Sequence, residues 1–450
     1  LYSISTATQK FRYDISELAR MFVPESEVII FNREDGENDA AELFIPGDLP
    51  KNEQKRMLYN FMRGKTGKEL DWGILTGVRP SKLYRELAQR EGNIQTAEEI
   101  LRKEYFVSEQ KIQLLRNVYN TQNATSMDMN PNAVGIYIGI PFCPTRCLYC
   151  SFTSNKITKP AASAYMQALL QEMDAVLKLM ERRCMYTESI YIGGGTPTSL
   201  DDEDFAALVN GASRFMGNKT REFTVEAGRP DTITEKKLEL ILGAGADRIS
   251  INPQTMKQHT LDLIGRSHTP EQIIKAFEIA KASGVPIINA DLITGLPEES
   301  PEDFQHSLET ILSLDPENIT VHTLAVKKAS RLIEQDKEYS YRQADVVRQM
   351  LAYSSETLTK AGYSPYYMYR QKQMAGNFEN VGTCKESKAS VYNIRIMEEN
   401  QTILALGAGA ISKQYFPEEN RIERVANVSN YHQYIERIDE MIQRKENGIV

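Results

Sequence analysis

The stretch YIGIPFCPTRCLYCSFTS, Tyr137–Ser154, decides how this sequence is read. An apolar run leads directly into three of the chain's five cysteines, Cys143, Cys147 and Cys150, spaced C-x3-C-x2-C. Thiolates so close on one loop can converge on a small metal centre. Two centres suit them. A structural zinc takes four protein ligands, and here would need a distant fourth such as Cys184. An iron–sulfur cubane has four irons and usually four cysteines, so three leave one iron open to another ligand. Arg146, between the thiols, offsets their negative charge. Phe142 and Tyr149 would shield the centre, and on their own are ordinary core aromatics. Phe152 stands two residues past the third thiol, where a fourth sulfur would be expected.

The surrounding pattern supplies an architecture. Over residues 131–330, six apolar runs of strand length recur: VGIYIGI, SIYIGG, EFTVEA, DRISIN, PIINADLI and NITVHTL. Between them lie amphipathic helical stretches at 161–183, 202–215, 234–243, 271–283 and 301–314. This alternation predicts parallel βα units with right-handed crossovers, and near-continuous apolar strands predict a sheet covered on both faces. Ser300 before Pro301, with acids in the next turn, predicts a helix start. Six units fit an α/β fold built as a partial (β/α)6 TIM-type barrel, or an open sheet; eight would make a full barrel. Ligands of such folds bind at the C-terminal strand ends, which is where the cysteines lie. Residues 1–130, with strands such as EVIIF and AELFI among helical stretches, read as an N-terminal accessory α+β domain ending in a polar linker, NTQNATSMDMNPNA. Residues 331–450 hold a helix at 341–361, the aromatic segment YSPYYMYR, a Gly-rich strand QTILALGAGAIS and a charged C-terminal helix. They read as a C-terminal α+β domain packed on the barrel.

The 450-residue chain carries a net charge of −8, which argues against a nucleic-acid partner. No window approaches the roughly 18 apolar residues of a membrane span. The N-terminus has no apolar signal core, and it opens on Leu1, as a trimmed chain would. Clustered cysteines are unlike the dispersed cysteines of a secreted disulfide framework. The expected compartment is a reducing cytoplasm.

C-x3-C-x2-C after the first strand of a partial (β/α)6 barrel resembles the signature of radical S-adenosylmethionine (SAM) enzymes. The resemblance implies a [4Fe–4S] cluster on Cys143, Cys147 and Cys150, whose open iron chelates the amino and carboxylate groups of SAM. An external reductant then drives cleavage to a 5′-deoxyadenosyl radical, which abstracts a hydrogen atom. The segment YIGGGTPT (191–198) follows the second strand, and glycines there let backbone approach a ligand closely. The resemblance places Gly194, Gly195 and Thr196 at the methionine amino group. Glu226 ends the third strand, Gln254 the fourth and Asp291 the fifth, with Arg266 in LIGRSHT. These match polar SAM contacts of the HemN-type coproporphyrinogen dehydrogenase branch. Glu226 and Gln254 would meet the ribose and methionine ends, Arg266 the carboxylate as fork to carboxylate, and Asp291 the nucleoside. Tyr137 matches a family tyrosine beside the sulfonium. Singly, Glu226 and Asp291 also read as helix caps, Gln254 and Arg266 as loop residues, and Tyr137 as core.

The segments DWGILTGVRPSKLYREL, PYYMYRQKQMAGNFENVG and YNIRIMEENQTILALGAGAISK resemble HemZ-type proteins, described as oxygen-independent coproporphyrinogen III dehydrogenases. They extend the resemblance over nearly the whole chain and make 331–450 a HemN-like domain. The implied reaction converts two propionates of coproporphyrinogen III to vinyl groups, giving protoporphyrinogen IX. A β-hydrogen is abstracted, carbon dioxide leaves, and an acceptor takes the remaining electron. Such a substrate carries four carboxylates, for which Lys327, Lys328, Arg331, Arg370 and Lys372 are candidate cations. Two departures bear on the substrate. Phe152 replaces a further cysteine of the dehydrogenases, as an aromatic does in related haem chaperones, and Gly139 replaces a histidine. The competing reading is a haem chaperone or haem-binding protein, with His322 at the end of the sixth strand as axial ligand or as a hydrogen-bonded core histidine. Another radical reaction on a tetrapyrrole, such as methyl transfer or ring opening, is a third. Arg79 and Lys82 could reach an anionic substrate or pack at a helix terminus, and Cys384 reads as a free surface thiol.

Overall fold

The computed structural model describes residues 1–7, 10–32, 41–125, 127–150, 155–325, 339–371 and 374–449. Near the N-terminus, β1 (Tyr2–Thr6), β2 (Val28–Asn32) and β3 (Leu43–Ile45) pair in parallel with β1 central. Helices Arg12–Phe22 and Lys51–Thr66 cover that sheet around Ile4, Phe22, Ile45 and Leu58. Helices Pro80–Glu91, Ile94–Lys103 and Glu109–Ala124 form a second apolar core around Tyr84, Leu101 and Leu115. The last helix takes up the start of the expected linker, because Leu115, Val118 and Gln122 keep one face of it buried.

All six strands expected in the middle region form. They are β4 (Ala133–Ile140), then, past a short parallel ribbon of β5 (Phe142–Cys143) and β6 (Asn155–Lys156), β7 (Tyr186–Gly194), β8 (Glu222–Gly228), β9 (Arg248–Gln254), β10 (Ile287–Thr294) and β11 (Asn318–Thr323). They lie side by side in sequence order, each parallel to the next. Helices Lys159–Arg182, Asp202–Ser213, Glu235–Gly243, Pro270–Ala282 and Pro301–Ser313 stand between them where the pattern placed them. Ser300 caps the last of these, in a reciprocal capping box with Asp303. This is the partial (β/α)6 arrangement. Among the described residues no helix is long and apolar enough to cross a membrane.

The strands of residues 331–450 do not form a layer of their own. Beyond β11 the sheet continues antiparallel through β13 (Asn380–Cys384) to β12 (Ser364–Tyr369). At the other edge, β14 (Thr402–Leu406) adds a seventh parallel strand beside β4, followed by antiparallel β15 (Ile411–Phe416) and β16 (Arg421–Ala426). The result is one 11-stranded sheet. The expected strand QTILALGAGAIS is thus two strands with a turn between them. Gly407 turns there at φ +100°, and a Cβ on it would lie 2.4 Å from the Gly139 carbonyl oxygen. Only glycine fits such a position. Every residue of β14 is buried, so it takes the open edge of β4, which otherwise would expose unpaired backbone. Cys384, at the end of β13, is buried among Tyr366, Tyr367 and Ile394 instead of lying at the surface.

Buried charges tie the parts together. Arg370 is 3% exposed; it donates to the carbonyls of Leu75 (2.6 Å) and Asn377 (2.9 Å) and lies over the Trp72 ring. It therefore joins the N-terminal region to the sheet and is not available to a substrate carboxylate. Trp72 and Lys111 both bond Glu379, at 2.7 and 2.5 Å. Arg79 and Lys82 pair with Glu399, at 2.9 and 3.9 Å, which is the packing role at a helix start. Lys327, Lys328, Arg331, Lys372 and Phe152 lie outside the described residues.

On the opposite flank, the fully buried Glu172 of helix Lys159–Arg182 accepts from Lys445 (2.6 Å), Tyr434 (2.6 Å), Asn427 (2.8 Å) and the Gly407 amide (2.8 Å). Four donors fill the positions a carboxylate offers. Replacing Glu172 by Leu leaves Lys445 charged and unpaired in the core. The expected cost is about 3–5 kcal/mol, read as a lowered midpoint in urea denaturation.

Candidate functional site

The C-terminal ends of β7 to β11 open on one cavity of about 350 Å3. Its lining includes Cys143, Cys147, Cys150, Gly194, Gly195, Thr196, Glu226, Gln254, Arg266 and Asp291, ten of the eleven residues marked in the sequence. The eleventh, Tyr137, is not in the lining. It pairs in register with Tyr191 on β7, and its ring lies 6.3 Å from those of both Tyr191 and Tyr392, nearly parallel to each. Tyr191 faces the cavity instead. Gly139 leaves room for this stack, since a Cβ there would come within 3.3 Å of the Tyr137 ring.

The thiol loop is held from several sides. Its two ends are joined by the β5–β6 ribbon. The Leu148 amide donates to Ile264 O at 2.9 Å, and Thr145 Oγ1 donates to Gly265 O at 3.0 Å. Thr196 Oγ1 donates to Cys143 Sγ at 3.5 Å. Gly195 is required by proximity, because a Cβ would lie 2.3 Å from Phe142 O and 3.0 Å from Cys143 Sγ. Burial pushes the Cys143 thiol up, and charge on Cys150 and Cys147 adds to it, against the hydrogen bond from Thr196. Cys184 is exposed beyond the far end of helix Lys159–Arg182, whose 24 residues span about 36 Å. It cannot complete a zinc site with these thiols. Among the described residues no three of His, Cys, Asp and Glu converge on a single-ion position.

Next to the thiols are two buried polar atoms without partners, Gln254 Oε1 and Arg266 Nε. Gln254 holds φ at +72°, a left-handed backbone that costs a non-glycine residue energy, at a position in the cavity lining. Arg266 is 8% exposed and bonds Asn252 O (2.6 Å), Gly228 O (3.4 Å) and Tyr149 Oη (3.4 Å). Its partners are carbonyls, a phenol and the Cys147 thiol, with no carboxylate among them, so this buried cation can still be matched by an anion. Three thiols lining one cavity, a backbone cradle closed to any Cβ and two orphaned polar atoms fit a cluster with an adjoining polar ligand.

Deeper in, Glu226 accepts from Tyr191 Oη and the Gly194 amide, both at 3.1 Å. Asp291 accepts from Asn289 Nδ2 at 2.8 Å and sits 3.5 Å from His322 Nε2. His322 Nδ1 meets Tyr369 Oη at 3.5 Å, so both ring nitrogens are engaged and an axial-ligand role would require displacing one. Tyr191, Tyr369 and Arg229 are cavity residues not marked in the sequence. Tyr191 and Arg229 had a signal, since they share strand ends with Gly194 and Glu226. Tyr369 had none, because nothing local places β12 near β11.

Burial, and then the neighbouring Asp291, push the Glu226 carboxyl up to about 7, against the bonds from Tyr191 and Gly194. A carboxyl raised in the folded state binds more protons there than when unfolded, so folding weakens as pH rises from its ordinary value, 4.5, to 7. The loss attributable to this group is at most about 3 kcal/mol. Between pH 4.5 and 7.5 the urea midpoint of cofactor-free Glu226→Gln should fall less, or rise more, with pH than that of the parent, because His268, which burial holds below its ordinary value, contributes the opposite slope to both. An unchanged slope in the variant would sink this account.

Comparison with known proteins agrees with the geometry. Residues 137–311 match the Radical SAM superfamily. The oxygen-independent coproporphyrinogen-III oxidase-like protein HemZ of Bacillus subtilis is 39% identical over 401 residues, covering 88% of this chain and 80% of the relative. The heme chaperone HemW of Bacillus subtilis is 37% identical over 193 residues, 42% of this chain and 50% of that relative. Coproporphyrinogen III oxidase HemN of Escherichia coli, a radical SAM enzyme, shares the fold at a TM-score of 0.55 and 21% identity, over 71% of this chain and 72% of that one. A [4Fe–4S] cluster and SAM are the cofactors that this superfamily and this fold imply. The cysteine loop at the end of β4 and a relative matched along most of the chain lead to one conclusion: the chain belongs to the HemZ family, within the radical SAM superfamily.

Proposed function

We propose that this chain is a radical SAM enzyme of tetrapyrrole metabolism that decarboxylates propionate side chains of coproporphyrinogen III, without oxygen, to give protoporphyrinogen IX. The observation that carries the reading is the composition of one cavity. Three thiols stand at one end, beside the unpartnered Gln254 Oε1 and Arg266 Nε, with Glu226 and Asp291 further in. When bound, the cluster and SAM supply hydrogen-atom abstraction, and the protein orients and shields that chemistry.

The chain's residues then divide the work. Cys143, Cys147 and Cys150 hold the cluster. Gly194, Gly195 and Thr196 meet the methionine amino group, and Arg266 pairs with its carboxylate through a planar fork. Gln254 completes the methionine end. Glu226 and Asp291 accept from the nucleoside hydroxyls through their carboxyl oxygens. Tyr137 acts from behind Tyr191, as backing for the aromatic wall of the cavity. The tetrapyrrole occupies the far side, towards Tyr369, Gln371 and Asn380. A reductant of unidentified nature supplies the cluster with electrons, in a reducing cytoplasm.

A second reading, haem binding or delivery, is favoured by the similarity to the heme chaperone HemW. One anaerobic experiment separates the two. Reconstituted protein is given SAM, a reductant and coproporphyrinogen III, and carbon dioxide, 5′-deoxyadenosine and protoporphyrinogen are followed. The expected outcome is release of all three, with iron–sulfur absorbance and turnover lost together in Cys147→Ala. Cleavage of SAM without carbon dioxide, alongside stoichiometric haem binding, decides for the chaperone. Turnover retained in Cys147→Ala would falsify the site itself.

A further inference from the structure

Arg229 follows the end of β8 and is 3% exposed, yet it reaches the cavity. Four of the five N–H donors of its guanidinium are committed. Nε and Nη2 grip Asp231 at 3.0 and 3.1 Å, Nη2 also donates to Ser267 Oγ at 2.5 Å, and Nη1 donates to Thr145 Oγ1 at 2.6 Å. The hydroxyls pass their own protons on. Thr145 donates to Gly265 O at 3.0 Å, and Ser267 donates to Asp231 Oδ2 at 3.1 Å. A hydroxyl has one proton to give, so the direction of every bond in this network is set.

The positions of the partners give the network its meaning. Thr145 stands between Cys143 and Cys147, and Ser267 follows Arg266. Arg229 therefore joins three segments: the thiol loop, the end of β8, and the stretch that presents Arg266 to the cavity. We propose that Arg229 is a positioning residue for the cluster: it sets the spacing of Cys143 and Cys147 through Thr145, and links that spacing to Arg266 through Ser267. A planar fork can serve Asp231, Thr145 and Ser267 at once, whereas lysine offers a single point charge. Retention of iron and affinity for SAM are thereby coupled through a side chain that ligates no iron. The inference rests on the cofactor assignment and is independent of which tetrapyrrole is the substrate.

The test compares reconstituted parent protein with Arg229→Met, Arg229→Lys, Thr145→Val and the Arg229→Met/Thr145→Val double variant. Two quantities are read anaerobically: the rate at which a chelator strips iron, followed by iron–sulfur absorbance, and the dissociation constant for SAM. Arg229→Met and Thr145→Val should each speed iron loss about ten-fold, the weight of one charge-assisted hydrogen bond. The double variant should lose iron less fast than the product of the two single effects, because both single variants lose the Arg229–Thr145 bond, while only Thr145→Val also loses the bond to Gly265 O. Arg229→Lys should not restore retention. SAM affinity should fall further in Arg229→Met than in Thr145→Val, because only the former releases Ser267, whereas the latter frees the Gly265 carbonyl alone. Thr145→Val, a loop substitution, should leave the urea midpoint in place, which separates positioning from a general loss of stability. Additive effects in the double variant, or iron loss in Arg229→Met at the parent's rate, overturn the proposal. Parent protein that takes up no iron overturns the cofactor assignment and this inference together.

Discussion

Two backbone hydrogen bonds hold β4 and β7 together past the point where the ladder proper ends. The Gly195 amide donates to Ile140 O and the Thr196 amide to Phe142 O, both at 2.7 Å. That contact brings a chain with no Cβ against the strand that opens the thiol loop. Cys143 begins immediately beyond it, within reach of the Thr196 hydroxyl. On the other side, the Gly194 amide is held by Glu226 from β8. The start of the thiol loop and the glycine turn are thus registered to one another by main chain, and Glu226 is tied to them through its carboxylate. Parallel strands make this possible, because their C-terminal ends all emerge on one side.

The cavity has two ends with different origins. The thiol end is built from consecutive βα units, so its residues recur at each strand end along the sequence. The far wall comes from β11 to β13 and the helix Val391–Glu398, with Tyr367, Tyr369, Asn380 and Asn393 in the lining. That wall exists only because residues 331–450 continue the sheet. The N-terminal region is bound to the same edge through Glu379 and Arg370, which fixes the position of β12 and β13 from outside.

Charge inside this molecule is placed in opposition, not spread. Arg266 meets carbonyls, Arg229 meets Asp231, and Glu226 lies in the field of both Asp291 and His322. A low-dielectric interior makes an unmatched group costly and a matched one rigid. Two unmatched atoms of the cavity lining, Gln254 Oε1 and Arg266 Nε, lie on the side of the thiols. At Glu172 burial is satisfied completely, and there it serves to hold the C-terminal helix.

The amino-acid sequence by itself determined the six barrel strands, the helices between them and the strand-end placement of the cysteines. Each of these follows from local periodicity: an apolar run of strand length is buried wherever it pairs, and a ligand set on one loop stays together however the chain folds. That ten of the marked residues would line one cavity was legible for the same reason, since strand ends can be counted along the chain. What only the tertiary structure decided are long-range pairings. β14 lies beside β4, β12 lies near β11, Tyr191 and not Tyr137 faces the cavity, and Arg370 and Cys384 are buried. Arg229 belongs with these, because its partners are 84 and 38 positions away in the chain. No local pattern encodes which edge accepts a strand or which hydroxyl accepts a guanidinium; those choices are made by packing, once the sheet is complete.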